Sequence, residues 1–206
     1  MPNITGNDSR QDSQSFYEST SPIKKVSRQT VITIGVNTLH EVGSGPICKV
    51  CIANGGSCCQ GCRHLADGIG CQQRNTSCTA WLCGFLKLLL YETGLLREWN
   101  DFWDQVPGLS YREDFTPEVF FVENSLHLPD IRNLSEALAA DLQELAKAHP
   151  AIGFILTLRE KIDKNIELVD YYEHDPKKQI RIKRNIKMLS SPFLRFQNEL
   201  REYKKT

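Results

Sequence analysis

Eight cysteines fall between Cys48 and Cys83, and the other 170 residues contain none. They run Cys48, Cys51, Cys58, Cys59, Cys62, Cys71, Cys78 and Cys83, a C-x2-C-x6-C-C-x2-C-x8-C-x6-C-x4-C series. Thiolates are the ligands chosen by soft and borderline metals, and a C-x2-C step aims two sulfurs at one centre. The set suits two zinc ions with four ligands each, or one iron–sulfur cluster with four ligands and four thiols to spare. Side chains of adjacent residues diverge in extended backbone, so Cys58 and Cys59 are expected to serve two centres, or only one of them to bind. His64 is a further acceptable zinc ligand, although a solvated histidine is the plainer reading. The cysteines could also form a disulfide framework. C-x2-C redox catalysis is disfavoured because neither C-x2-C pair opens a helix in a βαβ unit.

Cations interleave with the thiols. Lys49 and Arg74 are expected to neutralise the anionic thiolate centre and tune it, against the simpler view that they are solvating charges. Trp81 and Phe85, flanking Cys83, would shield the site from water.

The series Cys48-Lys49-Val50-Cys51, Cys58-Cys59-Gln60-Gly61-Cys62, Gly70-Cys71-Gln72-Gln73-Arg74 and Cys78-Thr79-Ala80-Trp81-Leu82-Cys83 resembles the CxxC…CC cysteine-cluster family of zinc- or iron-chelating domains. The resemblance covers roughly residues 46–85. Two features depart from the family pattern: the interval from Cys51 to Cys58 is longer, and Asn75 rather than proline follows Arg74. What the resemblance implies is metal chelation by the cysteines with no assigned reaction. Flagellin lysine methylases carry a related cluster, but no methyl-donor loop follows a strand here, so that activity is not carried over.

The elements that must position these thiols can be read from composition and period. Hydrophobic residues make up 40% and charged residues 24% of the 206. That is enough for a core of ordinary size, most of it after Thr79. The fold class is expected to be mainly α: a Gly-rich, cysteine-liganded metal module packed on a helical body of about five helices. Three parts follow: 1–28 disordered, 29–83 the cysteine-rich metal-binding module, and 84–206 the helical body with basic C-terminal helices. Val31–Val36 is β-branched and reads as a short strand or an extended lead-in. Thr79–Thr93 reads as one buried helix closed by Gly94, and 95–106 as a shorter helix carrying Trp99, Phe102 and Trp103. Val119–Val122 reads as a strand. Apolar steps of three and four mark helices from Ile131 to Leu145, Ile155 to Val169 and Ile182 to Tyr203. The last is broken at Pro192, with Ser191 as the expected cap.

Charge is unevenly spread. Residues 97–175 carry 17 acidic and 7 basic groups, and residues 176–206 carry 10 basic and 2 acidic groups. The basic set Lys177, Lys178, Arg181, Lys183, Arg184 and Lys187 reads as a surface for nucleic acid. Alternatively, it reads as the internal partner of Glu160, Asp163, Glu167, Asp170 and Glu173, across a hairpin turning at His174-Asp175-Pro176.

The opening MPNITGNDSRQDSQSFYEST has no apolar signal core, so a cytoplasmic location with reduced thiols and no membrane association is expected. No P-loop, dinucleotide fingerprint, H-E-x-x-H or G-x-S-x-G occurs, so no acid–base or nucleophilic pair stands out. The sequence therefore supports a metal-binding protein holding zinc or an iron–sulfur cluster, in a redox, regulatory or structural role. A metal- or cluster-dependent enzyme acting with a protein partner, or a nucleic-acid-binding regulator, are the alternatives.

Overall fold

A computed structural model describes residues 23–56, 62, 64–66, 70–71, 73–110, 113–151 and 153–205. These residues are mainly helical, as expected, and no helix among them is long and apolar enough to cross a membrane. The disorder expected over 1–28 falls mostly outside the described residues. Within them, β1 (Lys24–Ser27) is an ordered strand instead.

Val31–Val36 is helical, not a strand: it lies inside α1 (Arg28–Glu41). Ser27 caps that helix by accepting from the Thr30 N–H at 3.1 Å. Val31, Gly35 and Thr38 share one buried face, and Ile32 and Leu39 extend it. Helical burial thus overrides the strand preference of a β-branched run. Gly35 makes the packing close, because a Cβ there would lie 2.5 Å from Trp103 Cζ2 and 2.6 Å from Thr79 Cγ2.

After α1, Gly43 at φ 75° turns the chain into α2 (Ser44–Ala53). Its close approach to Arg132 and Ser135 seats α2 on a later helix, and Ser135 donates its hydroxyl to the Val42 carbonyl. The short ladder of β2 (Leu65–Ala66) and β3 (Gly70–Cys71) follows. Next come α3 (Thr76–Ala80) and α4 (Gly84–Thr93). The expected single helix over Thr79–Thr93 is therefore broken at Trp81–Cys83. The break lets Gly84 meet another helix backbone, and the indole N–H of Trp99 takes the freed Ala80 carbonyl at 2.9 Å.

Gly94 closes α4 at φ 79°, the left-handed cap expected of it. Trp99, Phe102 and Trp103 are buried on α5 (Leu96–Trp103), which ends before Pro107-Gly108. The hairpin of β4 (Leu109–Ser110) and β5 (Glu113–Asp114) leads to β6 (Val119–Val122), which pairs antiparallel with β1.

Three long helices then appear where the apolar period places them: α6 (Arg132–Ala148), α7 (Phe154–Tyr171) and α8 (Pro176–Leu189), followed by α9 (Leu194–Tyr203). From residue 84 on the described residues hold six helices, one more than expected. The cap of α9 also differs. Phe193 occupies the N-cap position, while Ser191 donates back to the Met188 carbonyl at 2.8 Å. Asp141, buried on α6, does the capping work by accepting from the Phe196 N–H at 3.0 Å. In packing, α4 lies on α7, α6 on α9 and α2, and α8 on α7. The core is continuous from Val31 through Phe85, Leu88 and Leu89 to Leu138, Ile162 and Phe196.

Candidate metal centre

The first two cysteines lie on a helix. Cys48 and Cys51 sit three residues apart on α2, and that spacing puts both on one face. Cys51 is buried and Cys48 half-buried. The glycine content of the module acts one step later. Gly55, at φ 79°, and Gly56 fold the chain back, and the Gly56 N–H donates to the Cys51 carbonyl at 2.8 Å. A Cβ on Gly56 would lie 2.3 Å from Cys51 Sγ and 3.0 Å from Leu156 of α7. Position 56 therefore admits only glycine without moving the thiol.

Helix α7 is the floor beneath this end of the module. Arg159 Nη1 donates to Cys51 Sγ at 3.5 Å. The backbone of the same residue receives the module's other end: a Cβ on Gly84 would lie 2.1 Å from the Arg159 carbonyl oxygen and 2.8 Å from Asp163 N. Cys83, adjacent to Gly84, is buried and occupies the N-cap of α4 in extended backbone (φ −76°, ψ 162°). The exposed amides at a helix N-terminus favour negative charge, so that place suits a thiolate. The first and last stretches of the cysteine run thus both meet α7 between Leu156 and Asp163. A guanidinium stands at one of these thiols and a helix N-terminus at the other.

An ion-pair cluster anchors the contact between α4 and α7. Lys87 Nζ lies 2.6 Å from Asp163 and 2.7 Å from Glu167. Burial works against the lysine's charge, but the hydrogen bonds and charges of the two carboxylates outweigh it and hold the ammonium above the ordinary lysine range.

Cys78 is half-buried on α3, where Asn75 caps the helix by accepting the Cys78 N–H at 2.7 Å. The same helix start is tied down by Asp114, which accepts from the Thr76 N–H (3.0 Å), the Thr76 hydroxyl (2.5 Å) and the Thr116 N–H (3.0 Å). Partial burial alone would raise the Asp114 carboxyl. The hydrogen bonds from Thr76 and Thr116 outweigh it and hold the carboxyl below the usual range.

Of the remaining thiols, Cys62 is half-buried, and Cys71 is placed by its backbone in β3, opposite Leu65. Cys58, Cys59 and the Cys71 side chain, on which the expected split between two centres falls, lie outside the described residues. His64 stands half-buried just before β2. Among the described residues, no three His, Cys, Asp or Glu side chains are gathered closely enough to hold a metal.

The two cations singled out from sequence are both exposed. Lys49 is exposed and lines a shallow groove between α2 and α6 with Val50, Ala53 and Ala139. Arg74 is exposed and donates its Nε–H to the Thr79 hydroxyl at 3.2 Å. Trp81 is 36% exposed, while Phe85 is fully buried. Arg159 and Asp114 were missed in the sequence. Arg159 sits 108 positions from Cys51 in a helix that reads as ordinary amphipathic, and nothing local marks it. Compared with protein-family models, with curated proteins and with solved structures, the chain has no match in any of the three.

Proposed function

We propose that this chain is a cysteine-ligated metal-binding protein, with zinc or an iron–sulfur cluster held by thiolates drawn from Cys48, Cys51, Cys58, Cys59, Cys62, Cys71, Cys78 and Cys83. The observation that carries the reading is that both ends of the cysteine run meet α7: Arg159 donates to Cys51 Sγ, and Gly84, next to Cys83 in the chain, packs on the Arg159 backbone. A thiolate centre carries excess negative charge, and a half-buried guanidinium with a helix N-terminus is the environment that offsets it. The resemblance to the cysteine-cluster family points the same way.

A bound zinc would supply a closed structural crosslink, and a cluster would supply one-electron chemistry. The chain's own part is separate from that choice. Gly56 and Gly84 let the chain approach α7, Arg159 balances charge, and Cys83 is buried, as are Leu82 and Phe85 near it in the chain. In this role the centre joins the module to the helical body.

Anaerobic purification followed by elemental analysis and a visible spectrum tests the proposal. Stoichiometric zinc without colour, or iron and sulfide with broad visible absorption that fades on reduction, would support it. Protein that is folded by circular dichroism yet carries neither metal, and takes up neither on reconstitution, would falsify it.

A further inference from the structure

Helix α8 carries a second chemistry unrelated to the thiols. From Pro176 to Asn198 the chain has seven cations and no carboxylate. Two of the seven are already engaged. Lys178 pairs with Asp175 at 3.5 Å and stands over the Tyr172 ring at 4.1 Å, and Arg195 pairs with Asp141 and Glu144. The other five, Lys177, Arg181, Lys183, Arg184 and Lys187, are exposed and have no ion-pair partner among the described residues. The internal pairing open to them by sequence is not made. Asp163 and Glu167 of α7 turn instead to Lys87 of α4.

The placement of these cations around the helix is specific. Ile182 and Ile186 are buried on the inner face, against α7. At 3.6 residues per turn, Arg184 lies opposite both, with Ile180 and Met188 one turn to either side of it along the helix. Ile180 is 70% exposed and Met188 56% exposed. Lys177 lies close to the same central line. Lys183 and Lys187 lie on one flank and Arg181 on the other, so the cations span an arc of about 160°. The outward surface is thus a strip with apolar side chains and an arginine at its centre and positive charge on both sides.

A flat anionic bilayer meets one line of a helix, whereas a groove walled by phosphates meets both flanks. The major groove of B-form DNA, about 12 Å wide, admits an α-helix, presents thymine methyls and guanine acceptors at its floor and has phosphates on each wall. The major groove of A-form RNA is too narrow for such entry. The geometry points to α8 as a duplex-DNA-binding helix. In that arrangement Lys183, Lys187 and Arg181 lie on the phosphate walls, and Ile180, Arg184 and Met188 face the base edges. This function is independent of the metal centre and stands or falls separately from it.

The test is fluorescence anisotropy of a labelled mixed-sequence duplex with the full chain over a salt series, beside single-stranded DNA of the same sequence and phosphatidylserine vesicles. Three cations on phosphate predict a slope of log affinity against log salt of about −2.7 for the duplex. Replacing Lys177, Arg181, Lys183, Arg184 and Lys187 together by glutamine should lower duplex affinity by about 100-fold or more at low salt. Ile180→Ser with Met188→Ser should weaken duplex binding severalfold while leaving the salt slope unchanged. All these side chains are exposed, so circular dichroism and metal content should match the parent. The proposal is overturned by absent duplex binding at about 50 mM salt, by equal or tighter binding to single strands or to vesicles, or by a five-glutamine variant that binds like the parent.

Discussion

Helix α7 meets a neighbour on each of two sides, and the two contacts are built differently. Toward α4 the backbones touch: Gly84 has no room for a methyl group beside the Arg159 carbonyl, and Lys87 closes over Asp163 and Glu167. Toward α8 the contact rests on Ile182 and Ile186 and a hydrogen bond from the Gln179 amide to the Val169 carbonyl, while the outer face of α8 is left to solvent. The first contact fixes distance and rotation together, because backbone cannot shift as a side chain can. The second fixes only that an apolar stripe be covered. A helix that shares a backbone contact transmits position, and one held by two isoleucines can vary its whole outer surface. The cysteine run ends against the first kind of contact, and the unpaired cations stand on the second.

The largest effect should come from forcing the tight side apart. Gly84→Ala puts a methyl group into the Arg159 carbonyl, and a loss of about 3 kcal/mol in urea unfolding is expected, with a fall in bound metal. Retention of full stability would mean that α4 and α7 can separate without cost and that the contrast between the two sides is wrong. Next, Arg159→Ala should weaken metal retention about 10-fold in a chelator competition, and Arg159→Lys should restore part of it. Equal retention in all three proteins would remove Arg159 from the centre.

A smaller effect concerns pH. Asp114 has its folded-state carboxyl below the unfolded value, so its stabilisation is complete above the unfolded pKa, about 4. It is lost as pH falls through the lower folded value. Acid unfolding of the parent should therefore steepen below about pH 4, and Asp114→Asn should lack that component while being less stable at pH 7. An identical acid limb in both proteins would count against the Thr76–Asp114–Thr116 anchor. The smallest effect belongs to α8: Arg184→Ala should change stability by no more than about 0.5 kcal/mol. A larger loss would show that the outer face is engaged within the molecule.

The parts of this architecture legible in the sequence are those set by local period. Steps of three and four place the ends of α6 and α7 within three residues, and Gly94 is legible because a left-handed cap needs it. The eight cysteines stand out as candidate ligands because no other segment of the chain holds a thiol. What failed depended on distant contacts. The β-branched stretch of α1 becomes helical because Gly35 must receive Trp103, and the break before α4 exists because Gly84 must reach α7. Arg159 is invisible for the same reason: its partner thiol lies across the fold. The charge asymmetry was legible, but its internal pairing was not, since Lys87 sits among leucines and its claim on the α7 carboxylates has no local signature.

The three tryptophans divide into two reporters. Trp99 and Trp103 are buried with ring centroids 5.8 Å apart and planes inclined at 48°, a geometry that couples their transitions. The pair should give a near-ultraviolet dichroism signal that tracks the seam between α1 and α5. Trp81, half open to solvent and two positions from Cys83, is the fluorophore beside the thiols. An emission change confined to Trp81, with the coupled pair undisturbed, would mark an event at the cysteines that leaves the helical body intact. A change in both would mark one that travels through it.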